Sequence, residues 1–114
     1  MTFGGRIRAA RMREKITLRK FAEMVGVSPT YISQIERNEY DPPSIERIEK
    51  IAKLLRLNAD ELSALAKRTP VDLEMVFQKH PNQIADFLRT ARNLNVEQLQ
   101  QLADKAKKLL KDGK

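Results

Sequence analysis

Side chains able to form hydrogen bonds are concentrated in one short segment of the sequence, which begins at Pro29 and ends at Arg37. Its members with side-chain hydrogen-bond donors are Thr30, Tyr31, Ser33, Gln34 and Arg37. Hydroxyl, amide and guanidinium groups serve as donors and acceptors for polar and anionic ligands. Catalytic chemistry is not indicated, because the chain has no cysteine and a single histidine, His80, without metal-ligand spacing. The sequence therefore indicates recognition by hydrogen bonding, with no enzyme activity, cofactor or metal site.

A helix and a turn precede this segment and must position it. Thr17 is a suitable N-cap for a helix over residues 18–25, and Gly26 suits the left-handed conformation that ends a helix. Apolar residues at helical spacing give this helix an inward face. They are Phe21, Ala22 and Val25.

The polar segment itself is predicted to be a second short helix, over residues 29–37. Ser28 is its N-cap and proline occupies the first helical position. Ile32 and Ile35 face inward, so the donor-bearing side chains named above are left pointing outward. Two helices with this connection can lay the second in the major groove of DNA, its N-terminal half towards the base edges.

The rest of the chain also has helical periodicity and no strand-like alternation, so the predicted fold class is all-α. A first helix is predicted over residues 6–15, a fourth over 45–55 after the cap Ser44, and a fifth over 59–66 with Leu62 and Leu65 inward. The break at residues 67–70 separates a domain of residues 1–68 from a C-terminal helical segment of residues 69–114. The helices predicted in that segment cover residues 71–77, 84–94 and 96–110.

Positive charge is concentrated at one end of the sequence. The net charge is +7, and residues 1–20 contain seven basic residues and one acidic residue, Glu14. A basic face favours polyanion binding, because neutralised phosphates release condensed counterions. A solvated helix face chosen for solubility explains the charge equally well, so the charge alone leaves both interpretations open.

Residues 5–65 resemble the lambda-repressor/Cro-type helix-turn-helix family of bacterial and phage regulators. The stretch that carries the resemblance is LRKFAEMVGVSPTYISQIER, followed by a loop, the pair PS and the helix IERIEKIAKLL. The resemblance implies a five-helix DNA-binding domain whose third helix, residues 29–37, is the recognition helix.

The resemblance also implies roles for individual residues. Gln34 could bond an adenine bidentately, and Arg11 and Glu36 match a structural ion pair between the first and third helices. The positions expected to contact bases are Pro29, Thr30, Ser33, Gln34 and Arg37. The positions expected to contact phosphates are Thr17, Leu18, Arg19, Tyr31, Asn38, Ser44 and Ile45.

Two departures from the family pattern affect this contact list. The loop at Asn38-Glu39-Tyr40-Asp41 carries two acids where many relatives have a glycine and a basic residue. These acids should repel phosphates, so the loop either stands off the DNA or contacts a partner. Pro29 replaces a polar residue of some relatives and removes one donor.

The C-terminal segment has a net charge of only +2 over residues 70–114, which makes it a weak candidate for further DNA contact. Its apolar stripes require a partner surface, and we expect dimerisation through a four-helix interface. The alternative is that these helices complete the core of a monomer. The residues expected at the dimer interface are Ile84, Phe87, Leu88, Leu99, Leu102, Ala106 and Leu109.

The functional prediction is a sequence-specific DNA-binding transcriptional regulator, a repressor that binds a palindromic operator in double-stranded DNA as a homodimer. One alternative is an antitoxin or autoregulatory member of an operon, with a partner protein on residues 70–114. Another is a protein-interaction module that keeps the helix-turn-helix as a scaffold. No run of about 18 apolar residues suggests a membrane span, so the expected location is the cytoplasm, at the nucleoid. The sequence does not identify a small-molecule effector.

Overall fold

A computed structural model of the chain describes residues 1–113, which form eight α-helices and no strand. The all-α prediction is confirmed. The helices are α1 (Phe3–Arg13), α2 (Leu18–Val25), α3 (Pro29–Glu36), α4 (Ile45–Leu55), α5 (Ala59–Leu65), α6 (Val71–Lys79), α7 (Pro81–Ala91) and α8 (Val96–Asp112).

The helices α2 to α5 begin where capping residues predict. The side-chain oxygen of each cap accepts a hydrogen bond from a backbone N–H in the first turn, which satisfies one of the donors that a helix start leaves unpaired. Gly26 ends α2 with φ 89°, a left-handed conformation that a residue with a Cβ adopts only at a cost. The four caps are Thr17, Ser28, Ser44 and Asn58.

Several helix boundaries differ from the prediction by two or three residues, among them the ends of α6, α7 and α8, and three others have clear local reasons. The first helix begins at Phe3 and not at residue 6, because Thr2 caps it by accepting from the N–H of Gly5 at 3.0 Å. Its end comes at Arg13, before Lys15, which has a positive φ of 58°. The seventh helix begins at Pro81 and not at residue 84, since proline suits the first helical position.

The hydrophobic core is built by the first five helices. Its largest fully buried apolar side chains include Phe21, Ile7, Ile48 and Leu55. Leu65, predicted to face inward, is 39% exposed, so that prediction was wrong. Ser63 and Ala66 lie one and four residues after the buried Leu62 and share its face, whereas Leu65 is turned away from it.

The chain divides into two compact units, Met1–Glu74 and Met75–Lys114. The division falls inside α6, a helix with no buried residue, and lies six residues beyond the break expected after residue 68. In the second unit α8 begins with a capping box, in which Asn95 and Gln98 each accept from the other's backbone N–H. Within residues 1–113 no helix has the length and apolar character needed to cross a membrane.

Candidate nucleic-acid interface

The two faces of α3 separate the side chains that hold the helix from those that can bind a ligand. Ile32, Ile35 and Glu36 are buried and fix the helix to the domain. At 100° per residue, most of the other side chains fall on the opposite side. They are the exposed Thr30 and Arg37 and the half-buried Ser33 and Gln34, with Tyr31 at one edge and the exposed Pro29 at the other. The expected base-contacting residues are therefore together on one accessible strip of α3.

The start of α2 offers a second group of hydrogen-bond donors. Thr17 and Arg19 are exposed and Leu18 is half-buried. The hydroxyl of Thr17 accepts from the N–H of Lys20 at 3.1 Å. The backbone N–H groups of Leu18 and Arg19, at the very start of the helix, have no intrahelical acceptor. These groups and the positive end of the helix dipole suit an anion such as a phosphate.

The start of α4 is arranged in the same way and is held by a residue that sequence reasoning missed. Ser44 is exposed and accepts from the N–H of Arg47 at 3.4 Å, and Ile45 is half-buried. Arg68 donates to the carbonyls of Pro42 and Pro43 at 2.8 and 3.3 Å. The guanidinium thereby fixes the loop that leads into α4.

Arg11 and Glu36, expected to form an ion pair, are joined by two hydrogen bonds. Arg11 Nε and Nη2 donate to the two carboxylate oxygens of Glu36 at 2.7 and 2.9 Å, and Nη1 donates to the carbonyl of Ile16 at 2.9 Å. The side chains are 12% and 5% exposed. The hydrogen bond to Glu36 raises the pKa of Arg11, outweighing the lowering effect of burial. This pair ties α1 to α3 and is not available to a ligand.

Asn38, expected to contact phosphate, has both side-chain polar atoms bonded to the start of α1. Its Oδ1 accepts from the N–H of Gly4 at 3.1 Å, and its Nδ2 donates to the hydroxyl of Thr2 at 3.0 Å. Its φ of 59° is left-handed, a conformation that asparagine adopts more readily than most other residues. Asn38 therefore orients α1 against the recognition helix.

The close approach of α1 to α3 depends on Gly4. A Cβ at this position would lie 2.2 Å from the carbonyl oxygen of Ile35 and 2.7 Å from that of Glu36. Backbone oxygens cannot move aside independently, so no larger residue fits here without separating the two helices. The glycine thus sets the distance between α1 and the end of α3.

Several basic side chains, two of them near the N-terminus, donate hydrogen bonds to groups within the protein. Arg13 Nη2 donates to the carbonyl of Leu55 at 2.6 Å, and Arg11 is held by Glu36 as described. Lys50, on α4, donates to the carbonyl of Val25 at 3.2 Å. The count of basic residues near the N-terminus therefore overstates the charge that is free to meet a polyanion.

The loop after α3 places one of its acids beside a candidate base-contacting residue. Arg37 Nη1 lies 3.3 Å from Glu39 Oε1, and the rings of Tyr31 and Tyr40 are 6.1 Å apart between centroids, tilted by 42°. The acidic loop thus packs back on α3 through both contacts.

The apolar residues expected to mediate dimerisation lie in the second unit, and most are accessible. Phe87 and Leu88 are 47% and 54% exposed, and Leu99 and Leu109 are 46% and 73% exposed. Ile84 and Leu102 are half-buried and Ala106 is exposed. None of the seven belongs to the hydrophobic core, whose buried residues lie between Phe3 and Ala66.

Known proteins are similar to the part of this chain that contains α2, α3 and α4. A family model described as helix-turn-helix matches residues 7–62. The crystal structure of the biofilm regulator SinR in complex with DNA is 36% identical to this chain, with 54% of this chain and 97% of that one covered and a TM-score of 0.50. This chain is a member of the lambda-repressor/Cro-type helix-turn-helix family.

Other relatives extend the comparison of this helix-turn-helix chain. The P22 c2 repressor, in complex with a synthetic operator, is 40% identical, covering 54% of this chain and 92% of that one, with a TM-score of 0.50. The transcriptional regulator SinR of Bacillus subtilis is 37% identical over 59 residues, 52% of this chain and 53% of that protein. The chain therefore spans about half the length of the curated SinR protein that it matches. These relatives are named as regulators and repressors and not as enzymes.

Within the helix-turn-helix chain, α2 and α3 correspond to the two helices of the motif and Gly26 to its turn. The family match ends at residue 62, so α6, α7 and α8 lie beyond it. In residues 1–113, no cluster of three or more histidine, cysteine or acidic residues could hold a metal ion.

Proposed function

We propose that this chain is a sequence-specific DNA-binding regulator of transcription that acts as a repressor. The observation that carries the proposal is the polar strip of α3, which faces outward while Ile32, Ile35 and Glu36 anchor the opposite side. A helix presented in this way can enter the major groove, where each base pair offers a distinct pattern of donors and acceptors.

The proposed contacts divide into base-reading and phosphate-binding groups. Gln34 is proposed to bond adenine through its amide, and the starts of α2 and α4 to receive phosphates on either side of the recognition helix. The bases are met by Pro29, Thr30, Ser33, Gln34 and Arg37. The phosphates are met by Thr17, Leu18, Arg19, Tyr31, Asn38, Ser44 and Ile45, and Asn38 also orients α1.

We propose further that two copies bind a palindromic operator, with residues 1–68 on the DNA and residues 69–114 forming the dimer interface. The support is the exposure of apolar side chains such as Phe87, Leu88 and Leu99 in the single chain. A twofold pair would place its recognition helices about 34 Å apart, one turn of B-DNA. The DNA of the nucleoid, in the cytoplasm, is the proposed target.

Selection of bound sequences from a pool of random duplexes tests this function. We expect an enriched palindrome with half-sites about one helical turn apart. Gln34→Ala should cost about 1–3 kcal/mol on the selected site and little on random duplexes, whereas Gln100→Ala, exposed on α8, should cost nothing on either. Lack of enrichment, with binding that falls uniformly as salt rises, would contradict sequence-specific recognition.

A further inference from the structure

Glu39 occupies a position where an acid is unfavourable for the helix that it follows. The backbone turns at Asn38, whose N–H donates to the carbonyl of Ile35 at 3.0 Å, and the N–H of Glu39 donates to that of Gln34 at 2.9 Å. These two bonds form the Schellman motif that closes α3. An acid just beyond the negative end of a helix dipole is unfavourable, whereas a basic residue there is favourable. Helix stability therefore does not explain Glu39.

The carboxylate of Glu39 is directed at Arg37 by this helix-ending geometry. Arg37 Nη1 lies 3.3 Å from Glu39 Oε1, and Arg37 Nε donates to the carbonyl of Ser33 at 3.3 Å. The guanidinium is thus held along α3, between the carbonyl of Ser33 and the carboxylate of Glu39. Tyr40, the next residue, packs against Tyr31 of the same helix, which keeps the loop in place.

The two Arg–Glu pairs of α3 differ in tightness. Arg11 and Glu36 are nearly buried and joined at 2.7 Å, which is the length of a strong charge-assisted hydrogen bond. Arg37 and Glu39 are 56% and 48% exposed and 3.3 Å apart. The second pair is longer and exposed to solvent, so a ligand with better hydrogen-bond acceptors can replace Glu39 as the partner of Arg37.

We propose that Glu39 competes with DNA for Arg37 and thereby lowers the affinity of the chain for its selected duplex; this inference rests on the proposed function. A bidentate arginine–guanine contact favours the correct base by a factor of roughly 5 to 150. An exposed ion pair resists its breaking by no more than about fivefold. A guanine therefore displaces Glu39, whereas loosely held phosphates of a non-specific complex do not.

The consequence is that Glu39 lowers specific affinity at least as much as sequence-independent affinity, because the Arg37–Glu39 pair must break before Arg37 can meet a guanine. In the wild type, Arg37 contributes little net charge to a non-specific complex because Glu39 neutralises it. Removing the carboxylate charge would free Arg37 for one additional phosphate contact. Each such contact makes the slope of log affinity against log salt steeper by about 0.9.

The test compares binding of the full chain to its selected duplex and to a scrambled duplex, as a function of salt. Glu39→Gln is expected to raise affinity for the scrambled duplex by up to about fivefold and to steepen its salt slope by about 0.9. Affinity for the selected duplex should rise by at least the same factor, up to about fivefold, because the ion pair no longer has to break before Arg37 meets its base.

Two controls separate the ion pair from general charge repulsion. Asp41→Asn removes the same charge from the same loop, and we expect a smaller change because Asp41 makes no ion pair within residues 1–113. In the background Arg37→Gln, the effect of Glu39→Gln on scrambled DNA should disappear, as a double-mutant cycle requires for coupled residues. An equal effect of Asp41→Asn, or an effect that persists without Arg37, would overturn the inference.

The outcome also distinguishes this inference from the proposed function. If the wild type discriminates the selected duplex but Glu39→Gln leaves the affinity for both duplexes unchanged, only the role of Glu39 is wrong. If the wild type makes no distinction between the duplexes, sequence-specific binding and the role of Glu39 are both overturned.

Discussion

Arg13 caps the end of α4 from a distance of 42 residues along the chain, by donating from Nη2 to the carbonyl of Leu55 at 2.6 Å. The last carbonyls of a helix have no intrahelical donor, and a positive group there also complements the helix dipole. Arg13 therefore belongs to the packing of α1 on α4, although its position in a basic segment suggests contact with a polyanion.

Replacing Arg13 should affect stability and not DNA binding. We expect Arg13→Met to lower the free energy of unfolding by about 1 kcal/mol, because a charge-assisted hydrogen bond to a helix end is lost from a partly exposed site. Urea unfolding measures this change. Arg8→Met, on the exposed side of α1, is the matched control and should stay within about 0.5 kcal/mol of the wild type.

The same Arg13 variant has a second expected result, in its salt dependence of DNA binding. For Arg13→Met, the slope of log affinity against log salt concentration should equal that of the wild type. Arg19→Met, at the start of α2, should make this slope shallower by about 0.9. A shallower slope for Arg13→Met would mean that this side chain meets phosphate after all.

The two adjacent glycines of α1 should respond in different ways to alanine. We expect Gly4→Ala to destabilise by about 3 kcal/mol, since its Cβ would meet backbone oxygens of α3. At Gly5 a Cβ would meet only the hydroxyl of Thr2 at 3.0 Å and a flexible side-chain atom at 3.5 Å. Gly5→Ala should therefore lie within about 1 kcal/mol of the wild type, helped by higher helix propensity. Equal losses in thermal unfolding of the two variants would contradict the close approach of α1 and α3.

Loss of the buried carboxylate should be costly. We expect Glu36→Gln to destabilise by about 3 kcal/mol, because Arg11 keeps its charge in a mostly buried site without a charged partner. Glu39→Gln, in the exposed pair, should change stability by less than about 0.5 kcal/mol. Chemical denaturation of both variants measures the difference, and similar values for the two would contradict the structural role of Glu36.

The pH dependence of this pair follows from Arg11. A pKa that is raised in the folded state contributes stability that is present below the unfolded-state value and is lost as pH rises through the folded one. Both values lie far above neutrality for arginine. The cost of Glu36→Gln should therefore be constant between about pH 6 and pH 9, and a decline in that window would have to come from another group.

The proposed dimer predicts a change of mass when an acid enters the apolar surface. Phe87→Glu should convert a dimer to a monomer in sedimentation equilibrium, because a charge buried at an apolar interface is strongly unfavourable. Asn82→Glu, exposed on the opposite face of the same helix, adds the same charge and should remain dimeric. A monomeric wild type would contradict the dimer and direct attention to a different protein as the partner of residues 69–114.

The features that sequence analysis predicted are those encoded by neighbouring residues. The range of α2 follows from the cap Thr17 and from Gly26 because both act within one helical turn. The pairing of Arg11 with Glu36 joins two distant side chains, and its prediction depended on the family resemblance and not on the residues alone.

The features that were missed are long-range contacts with backbone groups. The partners of Arg13 and Arg68 are carbonyls 42 and about 25 residues away, and that of Asn38 is an N–H 34 residues away. Every residue has such groups, so no pattern of side-chain types marks the one that is used. Leu65 was misplaced for a related reason, since in a seven-residue helix a shift of one position decides which face is buried.

The lack of any buried residue in α6 has a consequence for hydrogen exchange. Opening a helix that covers no core exposes little new apolar surface, so its opening free energy in the isolated chain should be small and almost insensitive to urea. The amides of α6 should therefore exchange early and at a rate that denaturant barely changes. Those of α2 and α4, beneath which Phe21, Val25, Ile48 and Ile51 are buried, should exchange only through a large opening whose free energy falls steeply with denaturant.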